Sequence, residues 1–458
     1  MNKKILRVLS FLLSITLLIS LCGCDSGNGG IKEVEQTNKE LKIAIYGTGG
    51  GLQYALYGFR QQYPDVELII DQEQFETNDD FGESFYTRIS AEMMSGSGPD
   101  LVFITGSSVA LDLSKMIRSG VFADLSAFTE NDPEWEALDL NEMVMNAGKW
   151  NDGQYIIPVT YNIPLLLTTE SLLQKAEFDV STAQNYLSFL EEGVDYKAKN
   201  SAEPSLPAAL IRTPLAMRPY FYNLSTDYMD FDTYEVNIDT DDIRKAQELA
   251  KEAYLYDCYV NDINSNMYGG VYGAIGLTTN EALFEYSALP LAYHLLNFRA
   301  LKAVEEVPVH VPLCNLDGEL VATVKDCFAV NASSANKENA YRFIKLLLET
   351  IDKDMFLELG SFVVSDQHVQ AYLESFVGRE DPLNLTTGES GDLKNLAALT
   401  EDDVNEYMKI LDSIDTAVLQ NATERVIYSE MNAYFRDEKD LDTCLSAVEE
   451  QMRIFVSE

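Results

Sequence analysis

Residues 93–125 read MMSGSGPDLVFITGSSVALDLSKMIRSGVFADL, and the order of elements in this stretch decides the fold. Just upstream, Phe85, Tyr86, Ile89 and Met93 recur at helical spacing and predict a short amphipathic helix leading in. Gly96-Ser97-Gly98-Pro99 ends it, because glycines and a proline do not continue a helix cheaply. Leu101-Val102-Phe103-Ile104 follows without alternation, as a strand covered by helices on both faces reads in a parallel sheet. The polar loop Thr105-Gly106-Ser107-Ser108 closes that strand, and a second helix carries the chain to Gly120. Helix, buried strand, polar loop and helix make one repeat of an α/β fold. Ligands in such folds sit outside the carboxyl ends of the strands, which marks Thr105 to Ser108 as a binding edge.

The same order recurs in front of this stretch. Leu41 to Tyr46 reads as a strand, Gly47-Thr48-Gly49-Gly50-Gly51 as a loop, Tyr54 to Phe59 as a helix ending near Pro64, and Val66 to Ile70 as the next strand. The glycines do not fit G-x-G-x-x-G and no Lys-Ser/Thr pair follows, so a nucleotide loop is rejected. Further on, Leu206 to Ile211 and Gly270 to Leu277 read as strands, Ile243 to Tyr256 as a helix with one apolar face, and the tail from Glu401 as mostly helical. Val307 to Val330 reads as a hairpin turning at Asp317-Gly318. Cys314 and Cys327 flank it, either bridged or free buried thiols.

The chain of 458 residues carries a formal net charge of −41. Nucleic-acid binding rests on Lys and Arg neutralising phosphates, so a chain this acidic argues against it. The charge itself reads as a solubilising surface. Three histidines and no Cys-x-x-Cys pair argue against a zinc site, and neither G-x-S-x-G nor H-E-x-x-H occurs.

Residues 1–24 read as a targeting segment: Lys3, Lys4 and Arg7, then an apolar run from Val8 to Leu21, too short for a confident membrane span. It ends Leu21-Cys22-Gly23-Cys24, which resembles a bacterial lipobox and implies cleavage before Cys24 and lipidation of its thiol. The expected layout is a signal peptide at 1–23 and a flexible tether at 24–39.

Gly98-Pro99-Asp100, with Gly120-Val121-Phe122-Ala123-Asp124-Leu125 closing the second helix, resembles the segment that marks the family 1 extracellular solute-binding proteins of ABC importers, relatives of maltose-binding protein. Three further blocks add to the resemblance: Asp152-Gly153-Gln154-Tyr155 before Pro158, Ser334 to Glu338 before the apolar helix Ala340 to Ile351, and the closing helices after Tyr434. The family's Gly-Lys-x-Ala-Met segment is matched only by Gly270 to Leu277, without its Lys and Met, and Thr278-Thr279-Asn280 stands where many sugar binders carry an aromatic.

The resemblance implies a two-lobe α/β fold of the periplasmic-binding-protein type (type II), each lobe a mixed sheet flanked by helices, with the ligand cleft between them. One lobe would take 40–158 and 305–350, the other 159–304 and 351–458. It implies a monomeric, lipid-anchored receptor on the outer face of the bacterial cytoplasmic membrane. Such a receptor closes over a polar solute, most often a sugar or oligosaccharide, and delivers it to the transmembrane permease, with neither cofactor nor metal. The alternative is a secreted glycoside hydrolase or another carbohydrate-active enzyme, which needs paired carboxylates. Binding residues are expected at strand ends: Thr48 and Gly49, Ser107 and Ser108, Thr160, Tyr161 and Asn162, Arg212 with Tyr220, and Thr278, Thr279 and Asn280. Tyr46, Tyr161, Tyr220 and Tyr222 are candidate sugar-stacking faces.

Overall fold

The structure is a computed structural model. It describes residues 39–47, 51–73, 82–105, 112–202, 205–207, 209–212, 225–230, 233, 235–254, 272–287, 291–351, 361–382, 395–419 and 423–457. The targeting segment, Cys24 and the tether as far as Asn38 lie outside these.

Among the described residues, fifteen strands follow in chain order. They are β1 Glu40–Tyr46, β2 Glu67–Glu73, β3 Leu101–Ile104, β4 Lys149–Trp150, β5 Gly153–Gln154, β6 Ile156–Asn162, β7 Leu165–Thr169, β8 Ala209–Arg212, β9 Ala282–Ser287, β10 Pro308–Pro312, β11 Val321–Val330, β12 Phe362–Val363, β13 Asp381–Pro382, β14 Asn395–Leu396 and β15 Thr416–Leu419. The first large sheet runs β12-β6-β11-β3-β1-β2, with β15 pairing β11. The second runs β10-β7-β9-β8.

The described parts of the decisive stretch fold as their pattern predicts. The helix Glu83–Met94 buries Phe85, Tyr86, Ile89 and Met93, and all four residues of β3 are buried. β1 lies between β2 and β3, parallel to both. The helix Leu113–Arg118 follows, its first turn capped by the Asp112 carboxylate on the Lys115 N–H.

The motifs that carry the family resemblance meet at the amino-terminal edge of this sheet. Asp100 Oδ2 accepts the Lys42 N–H at 2.8 Å, while Asp100 Oδ1 accepts the Ser334 hydroxyl at 2.6 Å. Asn331 Nδ2 donates to the Ser97 and Pro99 carbonyls at 2.7 and 3.0 Å. Asp124 works in the same way, accepting from the Ser126 N–H at 2.9 Å and the Gln154 N–H at 3.1 Å. The helix Lys337–Glu349 then covers the sheet with Ala340, Phe343, Ile344, Leu347 and Leu348.

Two expectations are corrected. Gly270 to Leu277 contributes the helix Tyr272–Thr278 rather than a strand. Its small residues serve close packing, since a Cβ on Gly273 would stand 2.8 Å from Glu285 Cγ and 2.9 Å from Asn297 Oδ1. The expected hairpin does not form: β10 pairs β7 in the second sheet, and β11 pairs β3 and β6 in the first. Cys314 and Cys327 are accordingly free thiols. β10 lies in the second sheet, and β12 and β15 lie in the first. The tail from Glu401 is mostly helical, as expected, with the short strand β15 pairing in parallel with Val321–Val324. No helix among the described residues is long and apolar enough to cross a membrane.

Candidate functional site

Strand directions decide where a ligand can sit. β11 is antiparallel to both β3 and β6, so β6 runs with β1, β2 and β3, and the four carboxyl ends share one edge. Pro158 and Ile104 face the same residue of β11, Cys327, and β6 continues four residues further to Asn162. In the second sheet β7 is antiparallel to β9 and β10, and β8 is parallel to β9. Leu165, the first residue of β7, therefore stands beside Ser287 and Pro312, the last residues of β9 and β10.

Two crossings join these edges. Ile163-Pro164 takes the chain from β6 to β7, and Leu313 to Leu320 takes it from β10 back to β11. The two touch, with Leu313 N–H donating to the Pro164 carbonyl at 2.9 Å. The carboxyl-end edge of the first sheet is thus tied to the carboxyl-end edge of β8, β9 and β10 by two adjacent strands of backbone. This is the side on which an α/β sheet accepts ligands.

The second crossing is gripped by side chains. Leu316 N–H donates to Asp227 Oδ2 at 3.1 Å, and Asn185 Nδ2 donates to the Leu316 carbonyl at 2.9 Å. At its far end Leu320 N–H donates to Asp415 Oδ2 at 2.9 Å. Burial pushes the Asp227 carboxyl up to about 7. The Leu316 N–H opposes that shift, and the neighbouring Asp317 and Glu319 add to it.

At the first crossing Thr160 is fully buried, and its hydroxyl donates to Asp326 Oδ2 at 2.5 Å. The β6–β11 register shifts on both sides of Asp326, a bulge of the kind that re-aims side chains. Tyr161 is equally buried and stacks on Phe362, the ring centroids 5.6 Å apart. Its hydroxyl meets no hydrogen-bond partner among the described residues. Burial, and then the Asp366 charge, push the phenol well above its ordinary value. Asn162 is half-buried, and its Oδ1 is also without a partner among the described residues. Of the three residues, Asn162 is the one not fully buried, although its unpartnered Oδ1 is itself enclosed, while Thr160 and Tyr161 brace the strand that carries it.

Arg212 ends β8, level with Glu285 of β9, on the same edge as Ser287. Thr278, Thr279 and Asn280 are brought elsewhere. They close the helix that leads into the amino end of β9, one strand length from that edge. Thr278 and Thr279 hydroxyls bond back to carbonyls of their own helix, and Asn280 Oδ1 accepts from Lys175 Nζ at 3.0 Å. The reading of them as a strand end fails with the strand itself. Tyr46 is core rather than edge, held between Phe85 and Tyr86 with centroids 5.7 and 5.8 Å away. Thr48, Gly49, Ser107, Ser108, Tyr220 and Tyr222 lie outside the described residues, in segments that follow β1, β3 and β8.

Sequence reading missed Asp326, Phe362, Asn185 and Asp227. For Asp326 a signal existed, a charged pair Lys325-Asp326 interrupting an apolar run. Among the described residues no group of three His, Cys, Asp or Glu side chains is placed to hold a metal ion. What the arrangement offers is polar groups and backbone at two opposed edges, suited to gripping a polar molecule.

Two sheets joined edge to edge by short crossings define a two-lobe α/β class of fold. The sequence matches the family of bacterial extracellular solute-binding proteins over residues 47–352, about two thirds of the chain, and the chain belongs to that family. Solved structures of similar fold include the sugar-binding protein MalE of the phytopathogen Xanthomonas citri, with a TM-score of 0.62 at 11% identity over 91% of this chain and 97% of that one. An ABC substrate-binding protein of Listeria monocytogenes in complex with cycloalternan gives 0.56 at 15% identity over 91% and 99%. The cyclic alpha-maltosyl-1,6-maltose binding protein of Arthrobacter globiformis gives 0.54 at 16% over 91% and 98%. No curated protein matches by sequence.

Proposed function

We propose that this chain is the lipid-anchored receptor of an ABC importer, that it closes over a carbohydrate, and that it hands the solute unchanged to a membrane permease. The observation that carries this reading is the pair of touching crossings, Ile163-Pro164 and Leu313 to Leu320, at the carboxyl-end edges of both sheets. Two lobes, one built on each sheet, would rotate about this short backbone joint. A solute bridging both edges makes its extra contacts only in the closed form and so favours it.

The carbohydrate class is supported by the sugars named for the similar structures, cycloalternan and cyclic maltosyl-maltose among them. Asn162, Arg212 and the segments holding Thr48, Gly49, Ser107, Ser108 and Tyr220 are proposed as contacts. Cys24 carries the lipid, and the protein acts as a monomer outside the cell.

The test is thermal unfolding of the protein against linear and cyclic maltooligosaccharides, with the solute recovered afterwards. A ligand at a hundred times its dissociation constant should stabilise the fold by about 2.7 kcal/mol. Recovery of the sugar intact supports the receptor. Cleaved sugar points to a glycoside hydrolase, and no shift with any sugar removes the carbohydrate assignment. Cys24→Ala should release the protein from the membrane of a bacterium expressing it.

A further inference from the structure

Two of the chain's three histidines form a buried pair. His294, on the helix Leu291–Ala303, and His310, in the middle of β10, are joined Nε2 to Nδ1 at 2.9 Å. The Phe298 ring lies parallel to His310 at 4.7 Å, and Tyr407, from the helix Glu401–Asp412, meets it edge-on at 4.5 Å. His294 is 2% and His310 8% exposed. The outward nitrogens, His294 Nδ1 and His310 Nε2, and the Tyr407 hydroxyl have no hydrogen-bond partner among the described residues.

Proton counting on this pair is restrictive. With both rings neutral, one N–H lies between them and each ring keeps one outward nitrogen. A further proton must settle on an outward nitrogen, which meets no acceptor among the described residues, and a charge buried so is costly. One more would put hydrogens on both facing nitrogens and break the bond.

The charged groups on the surrounding elements are engaged elsewhere. Lys302 pairs with Asp403, and Arg299 donates to Asp381 and to the Ala397 and Arg379 carbonyls. Asp403, Glu406 and Tyr372 act on Tyr407, whose phenol is pushed far up chiefly by burial. His310 is pushed down to about 3 by burial alone. His294 is lowered by burial and then by His310. β7, which pairs β10 at Leu167–His310, brings no charged side chain.

We infer that the His294–His310 pair is an acid-sensitive latch that holds the helix Glu401–Asp412 against β10 and, with it, the Ser413–Asp415 link into β15. β10 leads directly into the crossing that begins at Leu313, and Asp415 grips that crossing at Leu320. Protonation of the pair therefore frees both ends of the joint at once. The consequence for solute rests on the hinge reading above; the latch itself is tested without solute.

The sign follows from linkage. An unfolded or released imidazole protonates near pH 6.5, while the packed pair does so far lower. The latch is at full strength above about pH 6.5, and below it the ratio of latched to released form falls by up to about tenfold per pH unit for each histidine.

Hydrogen–deuterium exchange of the full chain at pH 7.5 and 5.0, corrected for intrinsic rates, reads this directly. Peptides from 401–412 and 308–312 should exchange at least about tenfold faster at pH 5.0, and the helix Lys337–Glu349 should not change. The double variant His294→Gln/His310→Asn should abolish the difference. Equal protection at both pH values in the native chain, or the same pH response in the variant, overturns the latch. Should the variant not fold, the imidazole nitrogens of the isotopically labelled native chain decide. Two rings that stay neutral until the 401–412 helix releases support the latch, and two rings that titrate near pH 6.5 with the helix still protected overturn it. Loss of solute binding without change in these readouts would indict the hinge reading and leave the latch intact.

Discussion

Asp100 and Ser334 stand 234 residues apart in sequence and 2.6 Å apart in space, hydroxyl to carboxylate. The other oxygen of Asp100 holds the Lys42 N–H, so one side chain binds the start of β3 to β1 and to the loop that follows β11. Asp100→Ala should lower unfolding stability by about 3 kcal/mol, since both bonds go to a charged acceptor. Urea denaturation measures it, and a loss under about 1 kcal/mol would show the tie to be incidental.

Thr160→Val removes the 2.5 Å bond to Asp326 inside the projecting end of β6 and should cost about 1–3 kcal/mol. Tyr161→Phe, by contrast, deletes a buried hydroxyl that has no partner among the described residues, and stability should hold or rise slightly. The two variants measured side by side separate a satisfied polar group from an orphaned one on adjacent residues.

Glycine substitutions should diverge for steric reasons. A Cβ at Gly148 would fall 2.0 Å from the Ile156 carbonyl oxygen, so Gly148→Ala must move backbone and should cost about 3 kcal/mol. Gly120 has φ of +69° with nothing within 4 Å, and Gly120→Ala should cost only the left-handed penalty of about 1 kcal/mol. Melting curves of the two would rank them.

Asp227 gives a pH prediction of opposite sign to the histidine pair. Its folded carboxyl titrates at about 7 against an ordinary value of 3.8. The stability it contributes is therefore full below the ordinary value and is lost as pH rises through 7. Asp227→Asn keeps an oxygen for the Leu316 N–H. It should match the native chain near pH 4 and exceed it above pH 7, by on the order of 1–4 kcal/mol. Equal stability of the two at pH 8 would show that Asp227 is not held protonated.

Asn162→Ala should weaken sugar affinity by about tenfold, one lost hydrogen bond, with the unliganded melting midpoint unchanged. Calorimetric titration distinguishes this from a structural defect, in which affinity and midpoint would fall together.

The local elements of this protein were legible in the order of its residues. Apolar patterning alone places the helix Glu83–Met94 and the buried strand Leu101–Ile104, because burial on one stripe leaves a helical period and burial on both faces an unbroken apolar run. The glycine, proline and aspartate at 98–100 announce a motif, but its purpose, a three-way tie at Asp100, depends on partners hundreds of residues away. Pairing is where local pattern stops. Nothing in Val307 to Val330 says that its two strands join different sheets, since either register buries the same side chains. The small residues of 272–278 suit a strand or a helix equally, and the space beside Glu285 and Asn297 selects the helix, which carries Thr278, Thr279 and Asn280 away from the site. Tertiary structure likewise turned Thr160 and Tyr161 inward, left Asn162 at the edge, and brought His294 to His310. Sequence set the elements because their causes are local. The site and the latch were decided by packing, which sums contacts that no single stretch of chain contains.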